Sequence, residues 1–158
     1  AQLRVDHDDE DLLIQHSIDA ATAWLDGPAG ILGRCLVTQS WQMDLDALTG
    51  PILLPFPDSE IDSAVFTDAA GVDLDYHIAL QDQRLLLRPL AGFGRPAAIT
   101  FTAGYGAPAD VPAAIRQAML LLIAHWYEHR EAVSLGASPS ALPMAVDALL
   151  APYRRIRL

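Results

Sequence analysis

The segment at residues 125–131, His-Trp-Tyr-Glu-His-Arg-Glu, carries the residue types best suited to chemistry in this sequence. His125 and His129 stand four residues apart, so on a helix both would face one side, with Glu128 beside them. Two imidazoles and a carboxylate on one helix face can bind Zn²⁺. The zinc-protease motif, however, places Glu directly after the first His, and no further ligand stands nearby in the sequence. We therefore interpret this segment as the polar end of a helix and keep a metal-dependent enzyme as the weaker alternative.

The other candidate catalytic motifs are no stronger. Gly92-Phe93-Gly94 and Gly104-Tyr105-Gly106 lack both the spacing of a dinucleotide-binding loop and the Lys-Ser/Thr of a P-loop, so we interpret them as turns. No serine lies in a nucleophile-elbow motif. Cys35 is the only cysteine, and a lone cysteine usually packs as a small buried hydrophobe. The sequence therefore predicts no catalytic residue, no cofactor and no metal.

The charge of the chain excludes a general nucleic-acid binder. Twenty acidic residues face ten basic ones, all arginine, which gives a net charge of −10, whereas phosphate binding needs clustered cations. The exception is the C-terminal arm, which we define as Tyr153, Arg154, Arg155, Ile156, Arg157 and Leu158. Its arginines either offset the dipole of a preceding helix or dock on an acidic partner surface, and both interpretations stay open.

Hydrophobic spacing predicts a first helix that ends at Gly27-Pro28. Its apolar residues recur three or four positions apart, and either Asp8 or Asp9 is placed to cap its start. We expect His16, which lies beside the apolar stripe, to be a partly buried structural residue.

The spacing changes to a period of two between Arg34 and Phe101. Cys35, Trp41 and Met43 then face one way and Arg34 the other, which predicts a half-buried strand. Further strands are expected at residues 52–54, 61–67, 76–80, 84–88 and 98–101, and the prolines around 52–54 make that strand an edge. Together they predict one antiparallel β-sheet.

A strongly apolar helix begins near Val111. Asp110 is expected to cap it, with Pro112 in its first turn. Because its residues are apolar on most sides, we expect it to be surrounded by protein. Gly136 and Pro139 are expected to end it, and a short helix at residues 143–153 closes the chain. No apolar run is long enough to span a membrane.

These elements predict an α+β fold, a small helical bundle with an inserted antiparallel β-sheet. The bundle comprises an N-terminal helix, a long central helix and a short C-terminal helix. We expect a single domain over residues 1–158, helical at 1–30 and 107–158, with the β insertion at about 34–105.

Four segments in this order resemble the head–tail connector proteins of long-tailed bacteriophages and gene transfer agents, which are also called adaptor or head-completion proteins. They are LRVDHDDED, CLVTQSWQMDLD, ITFTAGYGAPADVPAAIRQAMLLLIAHWYEHREAV and LPMAVDALLAPYRRIRL. The family has a helical lead before the first segment, so we expect residues upstream of Ala1. The stretch from Gly27 to Gly33 departs from the more direct connection of many relatives.

The resemblance implies a structural virion protein, assembled in the host cytoplasm and located in the neck of the particle. About twelve copies would form a closed ring that joins the portal protein to a stopper or tail-terminator protein and extends the DNA channel. DNA would pass without specific binding, and no membrane would be involved. We expect the C-terminal arm to form the portal interface. A nearer alternative than an enzyme is another neck or tail ring protein, such as a tail terminator.

Overall fold

The computed structural model describes residues 10–68, 72–128 and 144–154, which contain three α-helices and six β-strands. The chain divides into two compact units, Ala1–Gly33 with Val111–Leu158, and Arg34–Asp110, which we call the helical unit and the β unit. This arrangement confirms the predicted α+β fold class, while the single domain over 1–158 stays a prediction. The elements are α1 (Asp11–Leu25), β1 (Gln39–Leu45), β2 (Ile52–Pro57), β3 (Ser59–Phe66), β4 (Tyr76–Gln81), β5 (Arg84–Pro89), β6 (Ala97–Ala103), α2 (Ala113–Glu128) and α3 (Met144–Leu150), with a 3₁₀ turn at Ala151–Tyr153.

Helix α1 buries one face and ends where the sequence predicts. Ser17, Ala21 and Leu25 form the buried stripe, and the chain leaves the helix before Gly27, whose φ of 74° is left-handed. His16 is exposed, so its predicted burial is wrong, because it lies on the side of α1 opposite that stripe. The predicted caps, Asp8 and Asp9, lie outside the described residues.

Helix α2 is the element of the helical unit against which both α1 and α3 pack. Ile115, Ala118 and Leu122 are fully buried. The Tyr127 hydroxyl donates a hydrogen bond to the Glu10 carboxylate, so the end of α2 lies beside the start of α1. The expectation of a helix covered on most sides is too strong for the described residues, among which Leu120 remains 47% exposed.

The start of α2 also differs from expectation. The Asp110 carboxylate accepts a hydrogen bond from the Ala107 N–H at 2.8 Å, and the helix begins three residues further on, at Ala113. The first helical hydrogen bond runs from the Arg116 N–H to the Pro112 carbonyl. Asp110 therefore closes the turn before the helix and does not cap it. The predicted helix ends at Gly136 and Pro139 lie outside the described part of the chain.

The β unit contains two three-stranded antiparallel sheets, ordered β1-β6-β3 and β2-β5-β4, where the sequence predicted one sheet. All six strands lie close to their predicted positions. Strand β2 is an edge, as its prolines indicate, and its pairing with β5 is irregular between Leu53 and Pro57. Strand β1 begins at Gln39, five residues later than Arg34, and its burial alternates as predicted.

The two sheets enclose one apolar core. Phe56 of β2 lies between them, with ring centroids 5.2 Å from Trp41 of β1 and 6.4 Å from Phe101 of β6. Buried side chains from both sheets form a single cluster around these rings, and Cys35 belongs to it, in line with its predicted burial. The β unit is thus a small sandwich in which each sheet covers the apolar face of the other.

Candidate functional site

The histidine segment at the end of α2 forms a helix contact in the described structure. His125 is half-buried in the last turn of α2, Glu128 is exposed, and Tyr127 between them donates its hydrogen bond to Glu10. His129 lies outside the described residues. Within residues 10–68, 72–128 and 144–154, no group of three His, Cys, Asp or Glu side chains is placed to hold a metal ion. The described part of the segment therefore joins α2 to the start of α1.

Only the first two residues of the C-terminal arm are described. Tyr153 is half-buried in the 3₁₀ turn, and the exposed Arg154 forms an ion pair with Asp147 of α3 at 2.5 Å. This pair engages one arginine of the arm within its own chain, although exposed ion pairs contribute little to stability. Arg155, Ile156, Arg157 and Leu158 lie outside the described residues.

A buried arginine that the sequence analysis placed on the solvent side ties together the two ends of the β unit. Arg34 is 9% exposed, donates a hydrogen bond to the Tyr105 hydroxyl at 2.5 Å, and approaches the Asp58 carboxylate at 3.5 Å. The Thr38 N–H donates to the Gly106 carbonyl at 2.9 Å. The prediction for Arg34 is wrong because the alternation of buried and exposed residues starts only at Gln39. Arg34 precedes the strand, so its burial depends on the segment that packs against it.

Phe66, the last residue of β3, joins two loops at one end of the β unit. Its backbone N–H donates to the Val72 carbonyl at 3.0 Å. A side chain on Gly92 would overlap the Phe66 ring, so the loop after β5 lies directly against that ring. The Arg95 guanidinium stacks on the ring at 3.8 Å from its centroid.

An ion pair fastens the same two loops. Arg95 donates two hydrogen bonds to the Asp68 carboxylate, at 3.0 and 2.7 Å. The hydrogen bond from Arg95 holds the pKa of Asp68 below its ordinary value, and the Asp68 carboxylate in turn raises the pKa of Arg95. The bidentate geometry sets both the spacing and the orientation of the loops.

These loops display apolar side chains to solvent. Val72 is 41% exposed, Leu90 55% and Phe93 58%. We define the loop platform as these three exposed side chains, Val72, Leu90 and Phe93, on two loops that both contact Phe66. The sequence analysis interpreted Gly92-Phe93-Gly94 only as a turn. The signal available was a large aromatic between two glycines, which gives the ring little local cover.

The outer face of the β1-β6-β3 sheet is polar. Ser40 of β1 and Glu60 of β3 both pair with Thr102 of β6, while Gln42 and Ser63 both pair with Thr100. No arginine or histidine occurs in these three strands. The sheet therefore presents hydroxyl, amide and carboxylate groups without cations.

No helix in the described residues is long and apolar enough to cross a membrane.

Comparisons with known proteins bear on the fold. No protein family model and no curated protein matches the chain. Three matching structures come from gene transfer agent (GTA) particles. The neck of an empty particle, computed with C6 symmetry, matches with TM-score 0.70 and 23% identity over 98% of this chain and 83% of that one. The neck of a native particle, computed with C12 symmetry, matches with TM-score 0.68 and 22% identity over 92% and 84%. The virion of a native particle matches with TM-score 0.71 and 23% identity over 99% and 87%.

Two glycines with similar backbone geometry provide a test of the platform's packing. Gly92 and Gly94 have φ of 81° and 87°, but only an added Cβ at Gly92 meets the Phe66 ring. We expect Gly94→Ala to lower the free energy of unfolding by roughly 1–2 kcal/mol through backbone strain alone. Gly92→Ala should lower it by about 1–3 kcal/mol more, because the ring must move. Urea denaturation of both variants measures the difference, and equal losses would contradict the contact.

The Asp68–Arg95 ion pair predicts that the stability of the folded state depends on pH. A carboxyl whose pKa is lowered by folding stabilises the folded state above its unfolded pKa and loses that contribution as the pH falls through the folded value. We expect wild type to exceed Asp68→Asn in urea midpoint at pH 7, with the gap closing under acid conditions. Asp46→Asn, which removes another exposed carboxylate, is the control. A gap that stays constant down to the acid transition would contradict the pair's role.

Proposed function

We propose that this chain is a structural protein of the neck of a phage-like particle, where it forms a ring between the portal and the tail. The observation that carries the proposal is the fold match to GTA neck structures, which extends over 98% of this chain with TM-score 0.70. A match of this extent includes both the helical unit and the β unit. The order of sequence segments that resembles head–tail connectors is independent support.

A ring of identical copies is supported by the symmetry of the related necks. Those structures were computed with C6 and C12 symmetry, and we propose twelve copies for this chain. A cyclic ring needs two different surfaces on each copy, because one side of a subunit meets the opposite side of the next. The helical unit offers exposed apolar side chains on different helices for such contacts, Leu12 on α1, Leu120 on α2 and Met144 on α3.

The channel of such a ring must let DNA pass without holding it. Each copy carries a net charge of −10, so a ring accumulates a strongly repulsive potential toward phosphate. The cation-free outer face of the β1-β6-β3 sheet is the surface of the β unit best suited to line this channel. Its hydroxyl and amide groups are neutral, and Asp44 and Glu60 repel the DNA backbone.

The C-terminal arm is the proposed portal contact. Arg155 and Arg157 alternate with Ile156 and Leu158, which combines charge and apolar area in a short segment. The ion pair between Arg154 and Asp147 assigns Arg154 at least one contact within its own chain. We therefore propose that the last four residues provide the main charge for docking on an acidic portal surface, and that the stopper or tail terminator binds elsewhere.

Imaging of the neck tests the location of the protein. We expect density for this chain in a symmetric ring next to the portal of particles from the host that encodes it, and no enrichment at the far end of the tail. A position at the tail tube would favour the alternative of a tail terminator. Elemental analysis of the purified protein tests the remaining alternative, because stoichiometric zinc would favour an enzyme that uses His125, Glu128 and His129.

Removal of the arm tests the portal contact. We expect deletion of all residues after Pro152 to abolish co-purification with the portal, since the deletion removes all three arginines of the arm. Arg154→Gln is the matched control, because its guanidinium is paired with Asp147, and we expect it to retain most of the binding. Undiminished portal binding by the deletion variant, with its folding verified by circular dichroism, would rule out the arm as the anchor.

A further inference from the structure

We propose that the loop platform of Val72, Leu90 and Phe93 is a docking surface for a second protein of the particle, one that presents an apolar socket with a basic rim. The inference rests on the proposed function, since it takes the partner from the same particle. It goes further by assigning residues and a partner chemistry to a surface that is separate from the C-terminal arm.

Contacts among the described residues restrain the two loops of the platform before any partner binds. Its loops are joined by the hydrogen bond from Phe66 to Val72, at 3.0 Å, and by the hydrogen bond from the Leu90 N–H to the Asp75 carbonyl, at 2.9 Å. The Asp68–Arg95 ion pair and the stacking of Arg95 on Phe66 add further restraints. A surface that is already ordered loses little conformational entropy on binding, which favours affinity.

The exposed side chains are of the kind that anchor protein interfaces. Phe93 is 58% exposed and Leu90 55%, although both sit on restrained loops. A rigid aromatic that can be buried in a partner's pocket contributes a large share of binding energy. Neither side chain belongs to the apolar core of the β unit, so their exposure does not serve its folding.

The charge around the platform selects the partner. Asp73 and Asp75 are exposed on the first loop, and the guanidinium of Arg95 is already paired with Asp68. The platform therefore presents apolar groups beside two exposed carboxylates, and the exposed Arg88 lies two residues before Leu90. A partner surface with arginine or lysine around an apolar socket complements it, and an acidic partner is repelled.

The same argument disfavours a second copy of this chain. A groove of about 240 Å³ in the β unit is lined by Asp58, Ser59, Leu80, Gln83 and Leu85. It is large enough for an apolar side chain, but its only charged lining residue is a carboxylate that is 63% exposed. That carboxylate, Asp58, already lies 3.5 Å from Arg34, and no cation among the described residues lines the groove. The groove therefore offers Asp73 and Asp75 no basic rim, and a different protein fits the platform better.

A photocrosslinker at the platform tests this directly in purified particles. Phe93→p-benzoylphenylalanine should, on irradiation, give an adduct between this chain and a different particle protein. Leu80→p-benzoylphenylalanine, at a still more exposed apolar position of the β unit, is the control and should give less than a tenth of that adduct. An adduct only between two copies of this chain would overturn the inference, as would no adduct at Phe93. Absence of the chain from the particles would instead refute the proposed function.

Substitutions measure the contribution of the platform once the adduct has identified the protein. We expect Phe93→Ser to weaken binding of that protein to the assembled ring at least ten-fold, while Leu80→Ser changes it less than two-fold. Asp73→Asn with Asp75→Asn should weaken binding several-fold at low salt and much less at high salt, because the charges are screened. Ring assembly should be unchanged in all three variants. Equal effects of Phe93→Ser and Leu80→Ser would overturn the inference.

Discussion

The packing of Phe56 between the two sheets is the contact on which the β unit depends. Each sheet has three strands and one apolar face, which would be exposed to water if the other sheet did not cover it. Phe56 reaches Trp41 and Phe101 across the interface, and the surrounding buried side chains close around these rings. Once the sheets are joined, their other faces and the loops at their ends become available for contacts with other molecules.

The structure separates surfaces with different physical character. The outer face of the β1-β6-β3 sheet is polar and free of cations, whereas the platform around Phe93 exposes apolar groups on loops joined by hydrogen bonds and an ion pair. The helical unit carries its own exposed apolar residues, and its C-terminal arm concentrates positive charge in an acidic chain. An assembly protein needs several such surfaces at once, because it contacts copies of itself and other proteins while it lines a channel.

Several arginines form contacts within their own chain, whereas others remain for proposed contacts with partners. Arg34 and Arg95 are both engaged inside the β unit, with Tyr105 and Asp68 respectively, and Arg154 pairs with Asp147. These contacts occupy a substantial part of the small supply of cations in a chain with twice as many acids. The excess of acidic residues underlies the proposal of a basic partner for the platform. The arginines of the C-terminal arm underlie the proposal of an acidic portal surface.

The sequence by itself determined the local elements. Period-two alternation located β1, the prolines identified β2 as an edge, and helical spacing located α1 and α2, because these signals depend only on residues close together in the chain. The tertiary structure decided how they combine. Ile61, Ala64 and Phe66 share one face of β3 only because the pairing shifts between Ile61 and Ser63, which strict alternation does not predict. The burial of Arg34 depends on Tyr105, which is 71 residues away. The loop platform depends on the Asp68–Arg95 pair, whose members are 27 residues apart. Such contacts follow from packing in three dimensions, and no local pattern encodes them.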